Sequence, residues 1–171
     1  SYCMYGLSNA LIYMEALAHA GDDFLATHPS LTGLDDFTLM TMLTHRTPPN
    51  FGDSGHVSSA HPVMYARAAR AKRADLQHFC DTQGAAGPLA LVYRDATLAP
   101  KPADFDPPSR CWQDIGWAEM RSTFHDDNAL VLATKGGSVA GGHQHWDCGT
   151  FILRAFGDEL VGEPGIGTYS R

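Results

Sequence analysis

The spacing of apolar residues changes character near residue 84, and this change limits the fold more than any other feature of the sequence. Before it, apolar residues recur at helical spacing, beginning with Leu7, Leu11, Met14 and Ala18. A second apolar run follows the acidic pair at 35–36, and an alanine-rich third run predicts one helix over 62–80. The first half of the chain is therefore predicted to be helical.

After residue 84, short apolar runs separated by glycines are typical of β-strands. The strand candidates are 89–93, 129–133, 150–156 and 160–161. The step from Phe156 to Leu160 predicts a hairpin turn between the last two. Helices followed by strands indicate the α+β class, and we divide the chain into 1–84 and 85–171.

The charge balance excludes some classes of partner. The 171 residues include 12 Lys and Arg against 19 Asp and Glu, which gives a net charge of -7. Nucleic-acid binding requires a basic surface, so we expect no nucleic-acid partner. No run approaches the roughly 18 apolar residues that cross a bilayer, so we expect no membrane partner.

The cysteines and the first residues carry weaker information. No two of the four cysteines have the C-x-x-C spacing of a zinc knuckle or a thioredoxin-like site, and disulfides and free buried thiols both stay open. The chain starts at Ser1 without a methionine or a secretion signal. We therefore expect an internal piece of a longer protein.

The densest group of chemically active side chains lies in the segment Gly-Gly-His-Gln-His-Trp-Asp-Cys-Gly at 141–149. On an extended segment, His143 and His145 point to opposite faces, which predicts different roles for them. A histidine and a carboxylate such as Glu163 across a hairpin suit a divalent metal. The alternative to a functional site is a histidine-rich turn whose imidazole rings cap backbone groups. The H-x-H-x-D-H motif of metallo-β-lactamase-like hydrolases is disfavoured, because Cys148 replaces its last histidine.

The same segment, with the residues after it, resembles the heparinase II/III-like polysaccharide lyases, a family that includes alginate lyases and is similar to dermatan-sulfate epimerase. The resemblance rests on G-H-x-H-x-D at 142–147, Phe151, and the run Leu-Val-Gly-Glu-Pro-Gly at 160–165, where Glu163 replaces a more common Asp. Weaker matches are Tyr-x-x-Tyr-Gly at 2–6, Gly-Asp-Ser at 52–54 and the run 117–122, which resembles the first strand of the family's β-domain.

The resemblance implies an architecture and a reaction. Residues 1–84 would be the last helices of an (α/α) toroid, and residues 85–171 the start of an antiparallel β-sandwich domain. The implied activity is cleavage of uronic-acid polysaccharides by β-elimination. A uronyl C5-epimerase and a non-catalytic glycan-binding relative are the alternatives.

The resemblance also implies residue roles. Tyr2 would be the catalytic tyrosine, with Tyr5 as the alternative, and His143 would bind or neutralise the uronate. His145 and Glu163 would hold a structural divalent ion (zinc, manganese or calcium), whose third ligand lies outside this chain. The expected partners are an anionic uronate polysaccharide and the rest of a longer chain, and the expected location is periplasmic or secreted.

The remaining candidates are interpreted from their types alone. The basic residues of the third predicted helix are expected to form a solvated face; they are Arg67, Arg70, Lys72 and Arg73. Arg121 suits either a polyanion contact or the bracing of a strand. The large aromatic residues at 51, 112 and 146 suit sugar stacking, but we expect buried packing for each. The other histidines are expected at surface or internally bonded positions.

Overall fold

The structure is a computed structural model that describes residues 2–23, 28–55, 60–138 and 145–165, with the side chains of 2–5 left out. It divides into two compact units. The first contains Ser1–Leu39 and Ser59–Ala103, and the second contains Met40–Ser58 and Asp104–Arg171. The chain thus enters the second unit twice. The division after residue 84 stays a prediction.

The first unit is helical. Its described helices are α1 Tyr2–His19, α2 Pro29–Met40, α3 Met64–Ala71, α4 Ala74–Thr82 and α5 Pro88–Tyr93. Its core consists of apolar side chains that are almost completely buried, among them Leu11, Val63, Met64, Leu76 and Cys80. Burial of such side chains is the main term that stabilises a helical unit.

Two predicted elements in this unit are wrong. The helix predicted over 62–80 is two helices, because Lys72 has a φ of 53° and ends α3 in the left-handed conformation. The strand predicted over 89–93 is helix α5, which Pro88 begins. Proline suits the first turn of a helix, and leucine and alanine favour the helix that follows.

The prediction of a solvated basic face is also wrong. The Arg67 side chain is 2% exposed and donates from Nε to Asp35 Oδ2 at 2.8 Å. Burial raises the pKa of Asp35 to about 6, although Arg67 lowers it. Arg70 pairs with Glu15, and Arg73 pairs with two further aspartates. This basic run therefore joins helices α1, α2 and α3, and of its four residues Lys72 is the one whose side chain is mainly solvated.

The second unit contains an antiparallel sheet of five described strands in the order β1-β2-β3-β4-β5. The strands are β1 Arg110–Trp112, β2 Trp117–Arg121, β3 Val131–Lys135, β4 Phe151–Ala155 and β5 Asp158–Val161. The predicted hairpin is confirmed, because Phe156 and Gly157 form a two-residue turn in which both have positive φ.

One face of the sheet covers the core of this unit. The buried cluster contains Leu43, Phe51, Ala129, Val131, Ala133 and Ile152. Phe51 packs edge-on against Trp117 with ring centroids 5.1 Å apart. The predicted strand at 117–122 is confirmed as β2, although it is the second strand and not the first.

The predicted α+β class is confirmed, and the toroid stays a prediction. No helix in the described part of the chain is both long and apolar enough to cross a membrane. Cys80, Cys111 and Cys148 are free thiols.

Candidate functional site

Two sequence motifs that lie far apart in the chain meet in the second unit. The backbone N–H of Gly52 donates to Asp147 Oδ2 at 3.0 Å, and His145 Nε2 lies 2.8 Å from Asp53 Oδ1. The Gly-Asp-Ser motif therefore contacts the His-x-Asp end of the histidine-rich segment. We call residues 145–150 the His145 loop.

A buried ion pair holds this loop to the sheet. Lys135, the last residue of β3, donates from Nζ to Asp147 Oδ1, and the two side chains are 2% and 8% exposed. The backbone adds two bonds, from Gly149 N to Lys135 O at 2.7 Å and from Lys135 N to Thr150 O at 3.1 Å. Burial alone would raise the pKa of Asp147, but Lys135 and the Gly52 N–H lower it below its ordinary value. Asp147 is therefore held as a carboxylate.

Glu163 joins the same set of contacts. The Thr150 hydroxyl donates to Glu163 Oε2 at 2.8 Å, and the buried Asn50 amide donates to the Glu163 carbonyl oxygen. Thr150 also donates its backbone N–H to Asp147 O at 3.1 Å. A continuous set of hydrogen bonds thus runs from the His145 loop to Glu163.

Of the residues predicted for the site, the structure describes two. His145 and Glu163 both lie in this cluster, and the His145 side chain is 33% exposed. His143 and the side chains of Tyr2 and Tyr5 lie outside the described residues. Tyr2 begins α1.

The donors present do not complete a metal site by themselves. Within residues 2–23, 28–55, 60–138 and 145–165, no group of three His, Cys, Asp or Glu side chains is placed to hold a metal ion. His145 Nε2 faces Asp53, and Glu163 Oε2 accepts from Thr150. The described residues therefore supply at most part of the predicted metal site, in keeping with a third ligand outside this chain.

Sequence reasoning missed Asp53, Lys135 and Asn50. Asp53 could have been predicted from the sequence, since it belongs to the Gly-Asp-Ser motif at 52–54. Lys135 and Asn50 could not have been predicted, because a buried lysine or asparagine is recognised only by its partner. These partners lie 12 and 113 residues away along the chain.

Arg121 braces the sheet. Its side chain is 7% exposed, donates to the Met42 carbonyl and to Glu119, and lies over the Phe124 ring at 4.2 Å from the centroid. Burial raises the pKa of Glu119 to about 7, against the effect of Arg121. These contacts favour the structural interpretation of Arg121 over a contact with a polyanion.

The three aromatic candidates differ in exposure. Phe51 is 3% exposed, so its predicted burial is confirmed. Trp112 is partly buried. Trp146 is 97% exposed, so the prediction of buried packing is wrong for this residue.

Comparison with known proteins agrees with the motifs that meet at this loop. Residues 106–171 match the family described as Heparinase II/III-like, C-terminal. Residues 106–171 are similar to that family, and the match covers less than half of the chain. The predicted family resemblance is thus confirmed. No curated protein matches the chain.

Solved structures show the same fold. The heparan sulfate lyase HepC from Pedobacter heparinus matches with a TM-score of 0.51 at 24% identity, and a HepC mutant with 0.52 at 23%. Each match covers 79% of this chain and 19% of the HepC chain. The heparinase-like chain described here therefore spans about a fifth of the length of these lyases.

Proposed function

We propose that the intact protein is a polysaccharide lyase that cleaves anionic uronate polysaccharides by β-elimination. The observation that carries the proposal is the contact between the Gly-Asp-Ser motif and the His145 loop, within a unit that matches the heparinase II/III-like family. A glycosaminoglycan is the substrate class that the heparan sulfate lyase neighbours favour.

The reaction requires three tasks. The negative carboxylate of the uronate must be neutralised, the C5 proton removed, and the departing O4 protonated. Placed acid and base groups contribute about 10²–10⁴-fold to such a step. His143 would neutralise the carboxylate, and Tyr2 would act as the acid and also as the base. No water attacks, so the paired carboxylates of a glycosidase are not required.

The described contacts support the assignment of His143 by holding residues two and four positions further along the chain. His145, two residues further on, contacts Asp53, and Asp147 is fixed by Lys135 and Gly52. A catalytic group is effective only when its position is restricted to the reactive geometry. The net charge of -7 does not oppose an anionic substrate at close range, because salt screens charges beyond about 8–10 Å.

The test is the product that the intact protein makes from heparan sulfate and from alginate. A lyase leaves a C4–C5 double bond at the new non-reducing end, which is measured by ultraviolet absorbance. Exchange of the C5 proton without cleavage would indicate the epimerase, and binding without either reaction a glycan-binding relative. Hydrolysis without unsaturated ends would contradict the proposal.

A structural divalent ion belongs to the proposal, with His145 and Glu163 as two of its ligands. Metal analysis of the intact protein is expected to find one bound ion. Replacement of either ligand by alanine is expected to lower the bound fraction, while His125→Ala is the control because His125 is exposed and pairs with Asp104. Equal metal content in all variants would contradict this assignment. A periplasmic or secreted location also stays a prediction.

A further inference from the structure

Trp146 is the most exposed of the large apolar side chains in the described part of the chain. It is 97% exposed, compared with 83% for Phe156 in the β4–β5 turn. Indole is the largest apolar side chain, and leaving it in water forgoes the free energy that its burial would contribute. A fully exposed tryptophan therefore requires an explanation. It indicates either a ligand that covers the indole or a backbone that holds the indole in solvent.

The backbone on both sides of Trp146 is held in place. His145 contacts Asp53 at 2.8 Å, and the Asp147 carboxylate accepts from Lys135 and from Gly52 N. These side chains, one residue before and one after, have exposed fractions of 33% and 8%. The two side chains that flank Trp146 are thus held against the protein, and the indole between them lies in solvent.

A fixed, exposed indole suits a sugar ring. A pyranose presents carbon–hydrogen groups on its flat faces, while the carboxylate and sulfate groups of a uronate polysaccharide project from its edges. An aromatic ring can cover such a face without removing the charged groups from water. Tryptophan supplies this contact area at a low cost in conformational entropy, because it has two side-chain torsions.

We propose that Trp146 is a stacking residue that binds a pyranose ring of the polysaccharide next to the reacting uronate. This inference rests on the proposed function for the class of ligand. Its position supports the assignment, since Trp146 directly follows His145 and lies three residues from His143. The residue binds and positions the chain and takes no part in proton transfer.

The test compares Trp146→Ala, Trp146→Phe and the control Phe156→Ala in the intact protein. For Trp146→Ala we expect the KM for heparan sulfate to rise roughly ten- to a hundredfold, by analogy with the loss of an aromatic side chain that stacks on a nucleic-acid base. The kcat is expected to change little. Trp146→Phe should keep most of the affinity, and Phe156→Ala should match the wild type.

Two further readouts separate the outcomes. Thermal unfolding of Trp146→Ala should match the wild type, and a marked fall in Tm would overturn the proposal by showing that the indole packs against protein. Binding of heparan sulfate is measured directly by titration calorimetry, so the result does not depend on turnover. If the wild type makes no unsaturated product, the lyase proposal fails. If Trp146→Ala binds as the wild type does, the stacking proposal fails alone.

Discussion

Lys135→Met is expected to lower the free energy of unfolding of the intact protein by about 3–5 kcal/mol. Methionine fills a similar volume but leaves the Asp147 carboxylate buried without its cation. An unpaired buried charge costs more than the pair contributed, because the carboxylate stays out of water and loses its partner. The measurement is denaturant unfolding followed by circular dichroism.

The matched control is Lys72→Met. Lys72 also forms an ion pair, with Asp95, but its side chain is 71% exposed. Exposed ion pairs contribute little to stability, so this variant should unfold close to the wild type. A double variant, Lys135→Met with Asp147→Leu, should recover part of the loss, since it removes both charges. Wild-type stability of Lys135→Met would contradict the role of the ion pair.

His143→Ala is expected to lower turnover of a uronate polysaccharide by about 10²–10³-fold, the effect of removing one group that stabilises charge in the transition state. Loss of the group that neutralises the carboxylate leaves the C5 proton poorly acidic. The kcat is expected to fall far more than the KM rises. The measurement is the initial rate of formation of unsaturated ends by the intact protein.

His125→Ala serves as the control here, because His125 is exposed and pairs with Asp104 in the same unit. It should keep full activity. Unfolding of His143→Ala should match the wild type, which separates a lost chemical group from a lost fold. Activity near that of the wild type in His143→Ala would remove this residue from the site.

The centre of the sheet was predictable because its information is local. Strands β3 and β4 coincide with short apolar runs, and Gly157 marks a turn that favours positive φ, whereas the short strand β1 was not predicted. The error about the basic run in the helical unit has the opposite cause. Asp35 lies 32 residues from Arg67, and Glu15 lies 55 residues from Arg70, so no local pattern shows that these arginines are paired and buried.

The same difference between local and long-range information applies to the candidate site. The histidine-rich segment and Glu163 are identifiable because their residue types and spacing are typical of a family. The contacts that hold them are not, since Lys135 looks like any strand-end lysine until Asp147 is placed beside it. The prediction that Trp146 is buried was wrong because tryptophan is usually buried. The contacts of His145 with Asp53 and of Asp147 with Lys135 explain its exposure, and the sequence does not show them.

The double entry of the chain into the second unit has a consequence for synthesis on the ribosome. Leu43 and Phe51 emerge about a hundred residues before Ile152, the core residue that they join. Contacts between such distant segments are slow to form, because a long loop must close before they can. Until β4 leaves the ribosome, Phe51 has no complete core to enter. Leu43 and Phe51 thus remain without this core partner while the helices that follow them are synthesised.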